Sequence, residues 1–300
     1  MKKLLIGLLC TPLVALASET VAPAEWEKTA LVEPREAQGV AALVNPGQIV
    51  AITHNIGGDL AYGGSTDAIA LVNALIGGGK QPDVVALQEV CATQASAFWN
   101  ANYPRGYWAA FYPTKYKPSC GETGGFNHGN LIAVRSEYAP SPQYNLPLPG
   151  NLGHGMICID FTKEAKAFRA CSTHLIAGSG PDDNTRLAQA NQIRSWATSW
   201  MGSGYRVIVG GDFNSAPTSA VIQSLNHLGS GDPFIDADFS QNRETKRHYT
   251  GNCNDPAWNS KLDYMFFSYN MTGRNLVEAT LRGDGTCSDH RALMGTARFK

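Results

Sequence analysis

Several things are scarce in this chain. Charged residues make up 16% of 300 positions and the formal net charge is −1. A basic excess that would grip nucleic acid regardless of sequence is therefore missing. That absence leaves room for chemistry on phosphate wherever a bound cation supplies the charge locally. Past residue 17 no stretch is long and apolar enough for a membrane helix, so the mature chain is expected to be soluble, without stable membrane association. There is no Cys-x-x-Cys pair and no Cys/His cluster, which argues against structural zinc. No internal repeat, low-complexity tract or central linker breaks the sequence, which points to one large α/β domain.

What is present begins with Met1-Lys2-Lys3, an apolar run from Leu4 to Leu16, and Ala15-Leu16-Ala17. A positive start, a short apolar core and a small-x-small site read as a signal peptide over 1–17, and hence as export. Cys10 does not suit a lipoprotein anchor, because Leu9 before it is not small. Residues 18–47 mix Pro, Glu, Ala and Val without a period and read as a leader segment. Of the seven cysteines, six remain after residue 17, and an even number in an exported chain implies disulfides. Cys158 and Cys171 lie on two apolar segments flanking Thr162–Lys166, a hairpin arrangement that sets them opposite each other. Cys91–Cys120 and Cys253–Cys287 then follow as nearest neighbours.

Short buried strands are expected at Ile49–Thr53, Asp83–Leu87, Leu131–Val134, Met156–Phe161, Ala167–Ser172 and Tyr205–Val209, with three closing strands near Leu262–Phe267, Leu276–Leu281 and Ala292–Phe299. Helices are expected after Ser65-Thr66, where Ile69, Val72, Leu75 and Ile76 repeat at helical spacing, near Thr93–Asn102, over Thr185–Met201, and near Ser219–Leu228. Residues 103–126, rich in aromatics, Gly and Pro, read as a long loop, and 229–260 as a polar one.

The chemistry sits where strands end, the place open α/β sheets put their ligands. Glu89 follows Val-Val-Ala-Leu, Asp212 follows Val-Ile-Val-Gly-Gly, and Asp263 interrupts an apolar segment. Carboxylates in such places are costly unless paired or bound to a cation. Asp289, His174, His290, Asn55 and Asn214 join them. Oxygen-rich sets of this kind suit Mg²⁺, with Mn²⁺ or Ca²⁺ as alternatives, better than zinc. A hard cation beside two histidines is what metal-assisted hydrolysis of a phosphate ester needs.

Six motifs occur in order: Thr53-His54-Asn55, Gln88-Glu89-Val90, Thr173-His174-Leu175, Gly211-Asp212-Phe213-Asn214, Lys261-Leu262-Asp263-Tyr264 and Ser288-Asp289-His290. Together they resemble the DNase I-like endonuclease/exonuclease/phosphatase superfamily, over about residue 48 to the C-terminus. The resemblance implies a catalytic domain over 48–300 with a four-layer α/β sandwich fold: two packed mixed β-sheets flanked by helices. It implies that Asn55 and Glu89 hold the metal with help from Asp289. His174 would contact the scissile phosphate or act as general acid. Asp212 would orient or deprotonate the attacking water, and Asn214 would hydrogen-bond the phosphate. His290, oriented by Asp263, would stabilise the transition state.

Other residues carry weaker signals. His128 and Asn130 occupy a segment where relatives place phosphate-contacting side chains, although the pattern departs there, and Thr250 resembles a phosphate-side threonine at looser spacing. His54 should point to the opposite face of its strand and be structural. Arg186 reads as a helix brace, and His154, His227 and His248 as surface or loop histidines. Most of Tyr103, Tyr107, Trp108, Phe111 and Tyr112 are expected in the core rather than stacked on bases. The Asp263-to-Asp289 gap of 26 residues leaves no space for the long membrane-binding insertion of secreted sphingomyelinases. Extracellular DNA, possibly RNA, is therefore the expected substrate, ahead of a phospholipid or a phosphomonoester, and the protein is expected to act as a monomer. A catalytically inactive binding protein of the same fold is the remote alternative.

Overall fold

Apolar runs bounded by polar residues form two sheets. In the first, β1 (Gln48–Asn55) and β2 (Val84–Cys91) pair in parallel, a connection that needs a crossover. Helix α1 (Asp67–Gly77) lies between them in sequence. The free edge of β2 takes β4 (His128–Arg135) and then β3 (Tyr107–Lys115). The free edge of β1 takes β14 (Ala292–Arg298) and then β13 (Val277–Arg282), which completes six strands. The second sheet, also of six strands, runs β5 (Gln143–Pro147), β6 (Gly155–Lys163), β7 (Lys166–His174), β8 (Arg206–Asp212), β12 (Asp263–Ser268) and β9 (Phe234–Asp236). A small pair, β10 (Lys246–Arg247) and β11 (Trp258–Ser260), stands apart. This computed structural model describes residues 47–77, 81–121, 125–150, 153–226, 232–247, 258–273, 276–282 and 288–299.

Strand alternation sorts side chains into layers. Ile49, Ala51, Val84, Ala86, Ile132 and Val134 of the first sheet share a core with Ile157, Ile159, Phe168, Ala170, Ile208 and Met265 of the second. The intervening residues Ile52, Val85, Leu87 and Leu131 pack under α1 and α2 (Ala92–Asn102) through Ile69, Val72, Ile76 and Phe98. On the far side Cys158, Cys171, Val207 and Val209 pack under α3 (Pro181–Gly202) through Ala190, Ile193 and Ala197. Helix, sheet, sheet, helix is the four-layer α/β sandwich. Central strands covered on both faces read as continuous apolar runs, which is why they were legible as buried strands.

Two glycines let the layers close at the motif end. A Cβ on Gly210 would meet Met265 Cε at 2.8 Å and the Cβ atoms of Ala86 and Thr53 at 3.0 Å. One on Gly211 would lie 2.3 Å from the Thr173 carbonyl oxygen. A polar tie crosses the sheets nearby: Gln88 Nε2 donates to Ser172 Oγ (3.0 Å), which donates to the Leu87 carbonyl (2.9 Å).

The segment read as a loop over 103–126 instead contains β3, an edge strand in which Pro113 is tolerated because an edge has spare backbone donors. Its Tyr107 is buried and donates to the Pro82 carbonyl (2.6 Å). Likewise β9, β10 and β11 emerge from the stretch read as a polar loop, and the helix expected near Ser219–Leu228 is the single turn α4 (Ala220–Gln223). Disulfides join Cys91 to Cys120 and Cys158 to Cys171, the second between directly paired residues of the β6–β7 hairpin. Cys253, Cys287, Thr250 and residues 1–46, with the signal and most of the leader, lie outside the described residues. Among the described residues no helix is long and apolar enough to cross a membrane. Arg186 is buried and donates to the Ile176 and Gly178 carbonyls (2.7 and 3.0 Å), bracing the start of α3.

Candidate active site

Sheet register brings the motif residues together. His174 pairs with Asp212 across the parallel β7–β8 ladder, and Asp263 pairs with Asp212 across the antiparallel β8–β12 ladder. In the other sheet Asn55 pairs with Gln88, and the β2–β4 ladder then slips between Leu87 and Val90. That bulge carries Glu89 at φ +56°, and Asn214, just past β8, sits at φ +46°. Non-glycine residues in the left-handed region are strained, and the strain here falls on two motif side chains.

One hydrogen-bond web joins the two sheets. Asn55 Nδ2 donates to Glu89 Oε1 and to Asp212 Oδ2, both at 3.1 Å, while Asn55 Oδ1 accepts from the Gly57 amide (3.1 Å). Asp212 Oδ1 accepts from the Asn214 amide (2.8 Å). Asn214 Nδ2 donates to the Leu175 carbonyl (2.9 Å) and to His174 Nε2 (3.0 Å), which leaves the His174 ring proton on Nδ1. Asp212 Oδ2 lies 3.6 Å from His174 Nε2 and 3.5 Å from His290 Nε2. His290 Nδ1 donates to Asp263 Oδ2 (2.8 Å). Ser288 Oγ donates to the Asn55 carbonyl (2.6 Å) and accepts from the His290 amide (3.1 Å), so one hydroxyl fixes both strand ends.

The electrostatics separate the histidines. Burial alone would lower His290, but the Asp263 and Asp212 carboxylates outweigh it and raise the imidazole to about 9, so it is charged at neutral pH. Burial pushes His174 down to about 3 and it is neutral. Burial also pushes His128 down to about 4, with Lys115 adding to the effect. Burial works to raise Glu89, yet the His174 imidazole and the Asn55 amide hold it well below the usual carboxylate range.

The donor set fits a hard divalent cation. Oxygens of two buried or half-buried acids, Glu89 and Asp212, converge on the single Asn55 amide, and a second oxygen of Asp263 is buried with no hydrogen-bond partner. Such convergence of oxygens, with one imidazolium for three carboxylates, is what oxygen ligands for Mg²⁺, Mn²⁺ or Ca²⁺ look like. Asp212, Asp263 and His290 also offer one ligand atom each within 4.8 Å of one another. The charged His290 carries a proton on Nε2, so Asp212 and the unpartnered Asp263 Oδ1 are the atoms of that trio still available.

Asn55, Glu89, His174, Asp212, Asn214, Asp263 and His290 thus form one cluster. Asp289 adjoins it, with Oδ1 3.9 Å from His290 Nε2, but its Oδ2 pairs with Lys246 Nζ at 2.9 Å and it bonds neither Asn55 nor Glu89. His128 is buried near Glu89, both ring nitrogens lacking a hydrogen-bond partner. The buried Asn130 amide donates to the Gly155 carbonyl (2.9 Å) and acts as a strut between the sheets. His54 faces away, its Nε2 donating to the His290 carbonyl (3.2 Å). His154, read from sequence as a surface or loop histidine, lies in the loop just before β6 and also touches the site: its Nδ1 contacts the His174 carbonyl (3.2 Å) and its ring stands edge-on to His174. Thr245 and Lys246 were missed. Thr245 Oγ1 accepts from the Leu262 and Asp263 amides (3.1 and 3.0 Å) and holds Asp263 in place. Both lie in a polar stretch with no periodic signal.

A sequence model described as the Endonuclease/Exonuclease/phosphatase family matches residues 52–290, which include all six motifs. The chain belongs to that family. Endonuclease/exonuclease/phosphatase enzymes are divalent-metal-dependent phosphoric ester hydrolases, in accord with the oxygen-rich cluster. Solved structures share the fold. The human Nocturnin catalytic domain with bound sulfate has a TM-score of 0.64 at 21% identity, covering 84% of this chain and 94% of that one. Truncated Caenorhabditis elegans TDP2 has a TM-score of 0.63 at 18% identity, covering 84% and 98%. D. rerio TDP2 complexed with a single-strand DNA product has a TM-score of 0.61 at 16% identity, covering 83% and 98%. No curated protein sequence matches the chain.

Proposed function

We propose that this family member is an exported, Mg²⁺-dependent phosphodiesterase that hydrolyses nucleic acid, with DNA the first substrate. The observation that carries the reading is Asp212 Oδ2 set 3.5–3.6 Å from the two histidines and 3.1 Å from the Asn55 amide, in one buried web with Glu89 and Asp263. When bound among Asn55, Glu89 and neighbouring oxygens, the cation neutralises phosphate charge and the charge that develops in the reaction. Asp212 orients a water and takes its proton as the oxygen attacks phosphorus. The bond to the leaving oxygen then breaks, and solvent protonates the alkoxide. Charged His290, held by Asp263, faces the developing negative charge. His174, neutral, serves as a hydrogen-bonding contact to the phosphate rather than as a general acid, and Asn214 fixes its ring. His128 lines the same site near Glu89.

Export is supported by the charged start and apolar run of residues 1–17 and by two disulfides. DNA is supported by its availability outside the cell, by the short Asp263-to-Asp289 gap, and by the single-strand DNA product in one structural neighbour. The protein acts as a monomer.

The test is a parallel assay on supercoiled plasmid, RNA and sphingomyelin vesicles with Mg²⁺, Mn²⁺, Ca²⁺ or EDTA. Nicking of plasmid with a divalent ion, none with EDTA, and no phosphocholine release is the expected result. His174→Ala and His290→Ala should each lower hydrolysis of bis(p-nitrophenyl) phosphate by about 10²-fold or more. Preference for sphingomyelin or a phosphomonoester overturns the DNA assignment, and a wild type inert with all three ions overturns the enzyme.

A further inference from the structure

Strand β10 delivers two consecutive residues to the cluster. Thr245, just before it, fixes the Asp263 backbone, and Lys246 forms an isolated antiparallel bridge with His290. The Arg247 amide donates to the Asp289 carbonyl (2.9 Å) and the Arg291 amide to the Thr245 carbonyl (2.7 Å), so the backbone on both sides of Lys246 is locked to the Ser288–Asp289–His290 motif. From that platform the Lys246 ammonium reaches 2.9 Å from Asp289 Oδ2 and 2.9 Å from His290 Nε2. Its side chain keeps 32% of its exposure, so the ammonium stands at the mouth of the site rather than sealed beneath it.

An ammonium has three donor hydrogens. One is taken by Asp289, and no other protein acceptor takes the remaining two among the described residues, since His290 Nε2 is itself a donor in the charged ring. His290 Nε2 is the atom that faces the reacting phosphate in the reading above. A phosphate oxygen that approaches that nitrogen from the Lys246 side comes within hydrogen-bond reach of both, because the ammonium lies 2.9 Å from it.

We propose that Lys246 is a further catalytic residue, which donates to a non-bridging oxygen of the scissile phosphate beside His290, with Asp289 as its positioning partner. The inference rests on the phosphoester-hydrolase reading but not on DNA as the substrate. It gives Asp289 a role through its ion pair, and it supplies a fixed positive charge in a chain whose net charge of −1 offers no basic excess.

The experiment compares Lys246→Met, Lys246→Arg and Asp289→Asn with wild type. Three readouts are used: steady-state hydrolysis of bis(p-nitrophenyl) phosphate, competitive inhibition by inorganic phosphate, and thermal melting. Lys246→Met should lose roughly 10²-fold in kcat/KM, the loss typical of removing one donor to a developing oxyanion. It should also weaken phosphate inhibition about tenfold while melting close to wild type. Lys246→Arg should recover most of the phosphate inhibition, and Asp289→Asn should fall between. If Lys246→Met, or Lys246→Gln should the methionine variant not fold, binds phosphate and turns over as wild type does, the proposal is wrong. A lower melting temperature with unchanged phosphate inhibition also overturns it, since that marks a purely structural ion pair. Failure to nick plasmid with bis(p-nitrophenyl) phosphate turnover intact would remove the DNA reading and leave Lys246 standing.

Discussion

His290 is held from both sides: Nδ1 is 2.8 Å from Asp263 Oδ2 and Nε2 3.5 Å from Asp212 Oδ2. Two carboxylates against one imidazole favour its charged form despite burial, and the raised value of about 9 has a signed consequence for stability. A histidine whose folded pKa exceeds its unfolded value contributes fully below about 6.5 and loses the contribution as pH climbs through about 9. In EDTA-treated protein the His290 ring resonance should therefore stay unchanged from pH 6 to about 8 and titrate near 9. Asp263→Asn should bring that titration back toward or below the ordinary value and cost about 10²-fold or more in activity, since the pair orients the ring as well as charging it. Titration of wild-type His290 near 6.5 would contradict the account. His54 shows the opposite case. It lies on the alternate face of β1, burial pushes it down to about 4, and its one bond is to a backbone carbonyl.

At the scale of elements, the site depends on how closely β8 approaches its neighbours. Gly210 faces Met265, Ala86 and Thr53, and Gly211 faces the Thr173 carbonyl, at distances that no Cβ tolerates without movement of strand backbone or core. Gly210→Val should cost about 1–3 kcal/mol by overpacking. Because β8 carries Asp212 next to His174 and Asp263, activity should fall further than stability does. Urea unfolding with parallel bis(p-nitrophenyl) phosphate assays would show the split, and equal losses would mean that the site tolerates the displacement. The two disulfides should differ in worth. Cys158–Cys171 joins residues already paired across a hairpin, with a sequence separation of 13, whereas Cys91–Cys120 spans 29 residues and ties the end of β2, beside Glu89, to the segment after β3. Replacing Cys91 and Cys120 by alanine should cost roughly 2–4 kcal/mol and replacing the hairpin pair less, because closing the longer loop removes more entropy from the unfolded chain. The reverse order in urea melts would contradict this.

For the whole molecule, several histidines are buried in neutral form: His54 and His128 are lowered to about 4 and His174 to about 3, burial being the largest cause in each. Depressed folded values mean that their contributions are complete above about 6.5 and are lost as pH falls through 4 to 3, because the unfolded chain takes up the protons first. The EDTA-treated protein should unfold cooperatively on acidification in that range, and His54→Gln should move the midpoint to lower pH. An unfolding midpoint that ignores all three histidines would refute the assignment. Much of this molecule was legible beforehand. Buried strands announced themselves as apolar runs, and Glu89, His174, Asp212 and Asp263 as polar residues placed at their ends. The aromatic edge strand β3 was not, since its Gly- and Pro-containing surroundings and half-exposed faces resemble a loop. Nor was His154, whose place beside His174 depends on where β6 begins. The sequence by itself determined the buried strands and most of the clustered polar side chains, because burial on two faces and a strand-end acid are local properties, while its six motifs carried the family and, through that resemblance, the layers. Only the tertiary structure decided that His174, Asp212 and Asp263 stand in one row, that Asn55 and Glu89 meet them from the other sheet, and that Lys246 reaches His290. Those facts depend on strand register and on the approach of two sheets, which are set by long-range pairing and packing rather than by any segment alone.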